Sequence, residues 1–235
     1  MRQPLFIRNH ANWRHWLLVL LCCAPAAAFA HGVAKGDARF IESVSGLQLV
    51  PYLYLGAKHM VTGYDHLLFL AGVIFFLYRL KDVALYVSLF ALGHSITLLL
   101  GVLAGLRVNP FAVDAVIGLS VVYKAFENMG GFRALGFNPD TRWAVWLFGL
   151  VHGFGLSTKL QDLHLSSDAL VPNMIAFNVG VELGQFTALA LILLAFTWWR
   201  RHESFLRRAF ATNVALMTAG FVLCGYQLTG LLLSV

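Results

Sequence analysis

Six apolar runs, each long enough to cross a lipid bilayer, constrain this chain more than any other feature. A hydrocarbon core of about 30 Å needs about 20 predominantly apolar residues in an α-helix. Only 12% of the residues are charged, against about a quarter in a typical soluble domain. The sequence therefore predicts an all-α integral membrane protein, a six-helix transmembrane bundle. The runs cover roughly residues 61–79, 83–106, 111–130, 142–160, 171–199 and 209–233.

The N-terminal stretch has the pattern of a secretory signal peptide. Three arginines precede the apolar run WLLVLLCC, and Ala28 and Ala30 occupy the −3 and −1 positions of a cleavage site. We therefore expect a cleaved signal peptide over residues 1–30, with an uncleaved anchor as the alternative. A periplasmic N-terminal segment (31–58) and a six-span transmembrane domain (59–235) then follow.

Basic residues between the apolar runs predict the orientation of the bundle. Alternate loops carry eight lysines and arginines, and the opposite loops carry two, which places the first set in the cytoplasm. The mature N-terminus is then periplasmic, in a bacterial inner membrane. Because the net charge of +6 lies in these loops, it indicates topology and no nucleic-acid partner. The richer set is Arg79, Lys81, Arg133, Arg142, Arg200, Arg201, Arg207 and Arg208.

Ionisable side chains interrupt several of the apolar runs. Each costs about 2.5–3.5 kcal/mol at mid-membrane on insertion scales, so each is by default a functional candidate. Some of them lie about ten to twelve residues from a run's end, or ~15–18 Å, and so share one predicted depth. These are His94, His152 and Glu182, with Asp65 and His66 expected just above them and His59 at the outer mouth.

Four further residues extend this predicted path. Asn178 and Gln185 share one helical stripe with Glu182, at i, i+4, i+7 spacing. Glu127 lies near the inner end of the third run, where a plain ion pair with Lys124 is the alternative. Cleavage after Ala30 would make His31 the first residue, whose amine and imidazole could chelate a metal together.

A short motif occurs twice. LFALGHS (89–95) and LFGLVHG (147–153) share Leu, Phe, Leu and His at matching positions. Both helices are predicted to run outward, which suits a parallel repeat. A chance match in a chain rich in leucine and phenylalanine is the alternative.

The donor atoms restrict the cargo. Cleavage would leave Cys224 as the one cysteine, so no thiolate site is expected. Imidazole with carboxylate suits Ni, Co, Zn, Cu(II) or Fe(II). We therefore expect a divalent transition metal as the transported or bound ion, with no separate cofactor and no catalytic residue. The bilayer and the metal ion are the predicted partners, and a homo-oligomer is left open.

The residues resemble a known family. HMVTGYDH (59–66) reproduces the H-x3-G-x-D-H signature of the HupE/UreJ family of membrane metal permeases. The segments GHSITL (93–98), VHGFG (151–155) and FNVGVELGQ (177–185) look like the companion motifs of its second, HupE/UreJ-like branch. The resemblance implies a six-span permease associated with nickel supply to hydrogenase or urease. It implies a functional role for His59, Asp65, His66 and Glu127. The sequence departs from the signature at Met60, where the family commonly has proline.

Two functions from different classes are the leading candidates, and a metal sensor or assembly partner without transport is a third. The first is inward transport of a divalent metal, nickel before cobalt or copper, through a path lined by histidine and carboxylate. The second is an intramembrane zinc-dependent hydrolase acting on a lipid amide or ester, with histidine ligands and an acidic general base. Ligands that spread from His59 to Glu127 favour transport, because an enzyme needs them in one shell.

Overall fold

The computed structural model describes residues 45–162 and 168–233, and within them every regular element is an α-helix. This confirms the all-α prediction. The predicted signal peptide and His31 lie outside the described residues. The helices are α1 (Leu49–Thr62), α2 (Tyr64–Ile74), α3 (Leu80–Leu103), α4 (Pro110–Asn128), α5 (Gly131–Ala134), α6 (Thr141–Gln161), α7 (Leu170–Arg200) and α8 (Ser204–Leu233).

Three of the described helices, α3, α7 and α8, are long and apolar enough to cross a membrane. The prediction of six such helices is therefore not met. One predicted span, α4, carries Asp114, Lys124 and Glu127 within its 19 residues. In place of the first predicted span, 61–79, the chain has two shorter helices, α1 with 14 residues and α2 with 11, and only α2 lies within that run.

The first apolar helix begins earlier than its hydropathy suggests and is broken inside. Helix α1 starts at Leu49, whereas the apolar run starts near residue 61. Gly63 separates α1 from α2 with an extended backbone (φ −73°, ψ 102°), and its N–H donates to the carbonyl of His59 at 2.9 Å. The H-x3-G-x-D-H signature therefore straddles a helix break, and does not stand at the mouth of a continuous span.

Arg200, the last residue of α7, holds the C-terminal end of α2. Its guanidinium donates to the carbonyls of Phe75 at 2.7 Å and Leu77 at 2.8 Å, and also to that of Ile74. The guanidinium lies 4.6 Å from the centroid of the Tyr78 ring. The bonds to Phe75 and Leu77 satisfy carbonyls near the end of the helix, and the carbonyl of Ile74 also accepts from the backbone N–H of Leu77 at 3.0 Å.

Close helix pairs form the frame of the bundle: α1 with α7, α3 with α6, and α4 with α8. Glycine lets the backbones touch, because a Cβ at Gly93 would lie 2.5 Å from the carbonyl oxygen of Trp146. At Gly118 it would lie 2.7 Å from the backbone nitrogen of Cys224. Small residues at such contacts are the usual means of packing membrane helices.

Helices α3 and α6 run in the same direction. Gly93 meets the backbone of Trp146 and Leu150, and further along both helices Gly153 meets the backbone of His94. The duplicated motifs at 89–95 and 147–153 therefore lie side by side, as expected for a parallel repeat.

Polar contacts define the two ends of the bundle. At one end, Asn128 donates to Asn213 at 2.9 Å and to the carbonyl of Gly72 at 2.8 Å. Together with Arg200, these bonds gather the connections after α2, α4 and α7, and we call this the inner end. At the outer end, Asn173 accepts from the backbone N–H of Gln48 at 2.8 Å.

Candidate metal centre

Four histidines from four helices meet in the middle of the bundle. The ring of His66 on α2 is central, with centroid distances of 5.4 Å to His59, 5.8 Å to His94 and 4.9 Å to His152. His66, His94 and His152 are at most 3% exposed. The structure thus brings together the four histidines among the six predicted main ligands. His59 is half-buried beside His66, and its place at an outer mouth stays a prediction.

Asp65 orients the central histidine. Its Oδ1 lies 3.1 Å from Nδ1 of His66, and both side chains are buried. A carboxylate at Nδ1 holds the proton there and leaves the lone pair on Nε2, the arrangement common around metal-bound histidines. Ligand atoms of Asp65, His66 and His152 all lie within 4.8 Å of one another.

His152 is oriented from its own helix. Its Nδ1 lies 2.7 Å from the carbonyl oxygen of Phe148, which can only accept, so Nδ1 is the donor. The proton is therefore on Nδ1, and Nε2 carries the lone pair that a metal ion would need.

Several buried nitrogens in the cluster are unsatisfied within the described part of the chain. Nε2 of His66 and both ring nitrogens of His94 have no hydrogen-bond partner there. Leaving a buried polar group unpaired costs about 1–3 kcal/mol. A bound metal ion would supply the missing partner, so this donor set fits an ion that prefers imidazole and carboxylate.

Gly63 of the signature permits the close approach of the Asp65–His66 pair. A Cβ at Gly63 would lie 2.9 Å from Nδ1 of His66 and 3.2 Å from Oδ1 of Asp65. Either contact would require the pair to shift. The helix break and the ligand geometry therefore depend on the same residue.

The predicted ligands on α7 lie apart from the group of three. Glu182 is half-buried and accepts a hydrogen bond from Ser95 at 3.3 Å. Gln185 donates to the carbonyl of Val87 at 3.1 Å. Asn178 is buried, and its Oδ1 has no hydrogen-bond partner among the described residues. Their roles as ligands stay predictions.

Glu127 lies at the inner end, in an ion pair. One carboxylate oxygen is 2.8 Å from Nζ of Lys124, and the other accepts from the hydroxyl of Thr141. The plain ion pair considered for the sequence is present, and a part for Glu127 in metal release stays a prediction.

Sequence reasoning missed one buried ion pair between α4 and α6. Asp114 is 4% exposed, and its two oxygens lie 3.0 and 2.7 Å from Nζ of Lys159. Lys159 is one of the two basic residues, with Arg107, that the orientation argument places in the opposite loops. The two residues are 45 positions apart, and no spacing rule relates them, so no signal in the sequence alone could have joined them.

The fold and its centre define a class: a multi-pass helical membrane protein with a buried histidine–aspartate cluster. The sequence model of the HupE / UreJ protein family matches residues 35–234, and the chain belongs to that family. The family is associated with uptake of nickel or cobalt. No curated protein and no solved structure matches the chain at a significant level.

Proposed function

We propose that this protein carries a divalent transition metal inward across the bacterial inner membrane, nickel in the first place and cobalt or copper as alternatives. Helices α1 and α2 together cover residues 49–74, about 39 Å at 1.5 Å per residue, enough for one crossing. With α3, α4, α6, α7 and α8 they make six crossings. The inner end then faces the cytoplasm and the mature N-terminus the periplasm.

One observation carries this proposal: the unsatisfied nitrogens of His66 and His94 beside a helix break. In many transporters the binding site lies near the bilayer midplane, where a helix is interrupted. Gly63 interrupts the first crossing after 14 of its residues, and His66 follows three residues later. The break therefore brings a ligand cluster to about the middle of the crossing.

Each part of the cluster has a role in this scheme. His66 and His152 bind the ion through Nε2, Asp65 orients the ring of His66, and His94 completes the shell. His59 passes the ion to His66, and His31 collects it outside if it is the first mature residue. Glu182, Asn178 and Gln185 line the path on the side of α7. A divalent ion moving inward gains about 2 × 2.3 kcal/mol per 100 mV, which is sufficient without nucleotide hydrolysis.

Proteoliposomes with an inside-negative potential test the proposal. Uptake of Ni²⁺, Co²⁺, Cu²⁺, Zn²⁺ and Fe²⁺ is compared for the wild type, His66→Ala and His202→Ala. His202 is the matched control, because it is exposed and its Nδ1 bonds to the carbonyl of Trp198. We expect metal-selective uptake that His66→Ala abolishes and His202→Ala preserves. Absence of uptake of every metal by the wild type contradicts the proposal.

The compactness of the cluster supports a second candidate, the zinc-dependent hydrolase. The ring centroids of His59, His94 and His152 all lie within 5.8 Å of that of His66, so the four rings form one cluster and not a series along the membrane normal. Three histidines and an aspartate can hold Zn²⁺ with a position open for water. Stoichiometric zinc that survives dialysis against a chelator, together with lipid-amide hydrolysis and no uptake, would favour this function.

A further inference from the structure

Three phenylalanines form a layer directly beneath the histidine cluster. The ring of Phe69 on α2 lies 5.2 Å from that of Phe90 on α3 and 5.8 Å from that of Phe148 on α6. Phe69 and Phe90 are at most 1% exposed. Both also pack on His152, with centroid distances of 5.5 and 5.0 Å. The layer therefore touches the proposed ligands from the inner side.

The same order of residues occurs on all three helices. Going toward the inner end, each has a cluster histidine, then a phenylalanine three or four positions further on, then a residue that lines a cavity. One helical turn is about 5.4 Å, so the phenylalanines share one level, between the histidine cluster and a lower compartment. The series are His66–Phe69–Val73, His94–Phe90–Tyr86 and His152–Phe148–Thr141.

The lower compartment is a polar cavity of about 390 Å³. At ~30 Å³ per water molecule, it has room for about a dozen waters, enough for a hydrated divalent ion. Arg133 and Asn138 line it and are exposed, so the cavity reaches the surface at the inner end. Lys124 and Glu127 line it as a neutral pair, which leaves Arg133 as the net charge among its lining residues.

We propose that Phe69, Phe90 and Phe148 form the inner barrier of the transport path and that the cavity below them is its exit vestibule. This inference rests on the proposed function. An apolar constriction excludes water and so stops an ion that would have to shed its hydration to pass. A vestibule without net negative charge binds a cation weakly, which favours release over retention.

The duplicated motif explains how the barrier is built. Phe90 and Phe148 hold matching positions in the two copies, as do His94 and His152. Because α3 and α6 run side by side in the same direction, one repeated pattern supplies two ligands and two thirds of the barrier. Phe69, three residues after His66 on α2, closes the remaining side.

Removing bulk from the layer tests the barrier function. Phe148→Ala keeps the carbonyl that orients His152, and Phe126→Ala is the matched control on α4, outside the layer and the cavity lining. We expect Ni²⁺ flux into proteoliposomes to rise about tenfold in Phe148→Ala, the effect of ~1.4 kcal/mol off a barrier. Ni²⁺ affinity of the purified protein should be retained, and Phe126→Ala should match the wild type. Unchanged or lower flux with retained affinity overturns the barrier.

Thiol labelling tests the same layer without depending on transport. The native cysteines are first replaced by serine. A membrane-impermeant thiol reagent is then added to vesicles on the side that the inner end of the bundle faces. Tyr86→Cys below the layer should react, and His152→Cys above it should react only when Phe148→Ala is also present. Equal labelling of both with the layer intact, or no labelling of Tyr86→Cys, overturns the inference. Absence of Ni²⁺ uptake by the wild type would instead contradict the proposed function and leave the labelling result interpretable.

Discussion

The two polar regions of the bundle differ in how their hydrogen-bonding groups are used. At the inner end, Asn213 donates to the carbonyl of Ala209 at 2.9 Å and accepts from Asn128. In the centre, His94 is as deeply buried as Asn213, at 1% exposed, yet neither of its ring nitrogens has a partner in the described chain.

This difference distinguishes polar groups that stabilise the fold from polar groups available to a ligand. A satisfied polar network stabilises the fold by itself, whereas an unsatisfied buried group lowers stability until a ligand completes it. Proteins commonly lose stability at functional sites in this way. We therefore expect the inner-end asparagines to serve packing, and we propose that the central histidines serve binding.

Removing Arg200 should have the largest effect on the folded state. Arg200→Ala leaves the carbonyls of Phe75 and Leu77 without this donor, whereas that of Ile74 keeps the backbone N–H of Leu77 at 3.0 Å. Because an unpaired buried polar group costs ~1–3 kcal/mol, we expect the free energy of unfolding to fall by about 2–4 kcal/mol, measured by SDS titration of the purified protein. Arg201→Ala, the exposed neighbour, is the control, and an equal loss in both variants would contradict the capping role.

Two leucine substitutions test the difference between the inner-end asparagines and the central histidines. They are expected to change the free energy of unfolding in opposite directions. Asn213→Leu removes the acceptor of one amide N–H of Asn128, so it should lower the free energy of unfolding by about 1–3 kcal/mol. His94→Leu removes unsatisfied nitrogens, so the metal-free protein should be as stable as the wild type or more so, while Ni²⁺ binding weakens. Both values come from SDS titration in the presence of a chelator. A loss of stability in His94→Leu as large as that in Asn213→Leu would abolish the distinction.

Neutralising Asp65 should weaken metal binding with little effect on folding. Asp65→Asn keeps an acceptor for Nδ1 of His66 but loses the charge that increases the basicity of Nε2. Outer-shell partners of this kind are typically worth 10–100-fold in metal affinity, and we expect a loss about that size in calorimetric Ni²⁺ titration. The exposed Asp162→Asn serves as control. Unchanged affinity in Asp65→Asn would show that Asp65 has no part in the centre.

Glu182→Gln should have the smallest effect among these predictions, and the quantity measured is again the affinity for Ni²⁺. Glu182 lies outside the group formed by Asp65, His66 and His152, and its carboxylate accepts a hydrogen bond from the hydroxyl of Ser95. We expect Ni²⁺ affinity to change by less than about threefold, the scale of one hydrogen bond worth ~0.5–1 kcal/mol. A loss as large as that in Asp65→Asn would show that Glu182 ligates the ion after all, as its depth in the sequence predicts.

The sequence predicts the helical class and the gathering of histidines, because both depend on one-dimensional patterns. Hydropathy finds apolar helices, and distance from a helix end gives depth. Depth carries no information on rotation about the helix axis, which explains why Glu182 has the predicted level and yet lies outside the group of three. The contact of His59 with His66 could not be derived either, since it depends on where α1 begins.

The start of α1 and the break at Gly63 could not be derived from hydropathy. Pro51, Tyr52, Tyr54 and Lys58 make residues 49–60 less apolar than a typical span. Helix α1 nevertheless packs closely on α7, where a Cβ at Gly56 would meet the backbone of Phe177. A single glycine inside a helical pattern is usually tolerated, so nothing in the sequence indicated that the helix would break at Gly63. Both features are determined by tertiary contacts.

The glycine contacts described above also determine which parts of this protein can move. Backbones that touch along their length cannot slide without many clashes, so each of the three helix pairs is expected to behave as one rigid body. Helix α2 belongs to none of these pairs, although it carries Asp65, His66 and Phe69. We therefore expect the transport cycle to be a displacement of one short helix, hinged at Gly63 and anchored by Arg200, within a stationary frame.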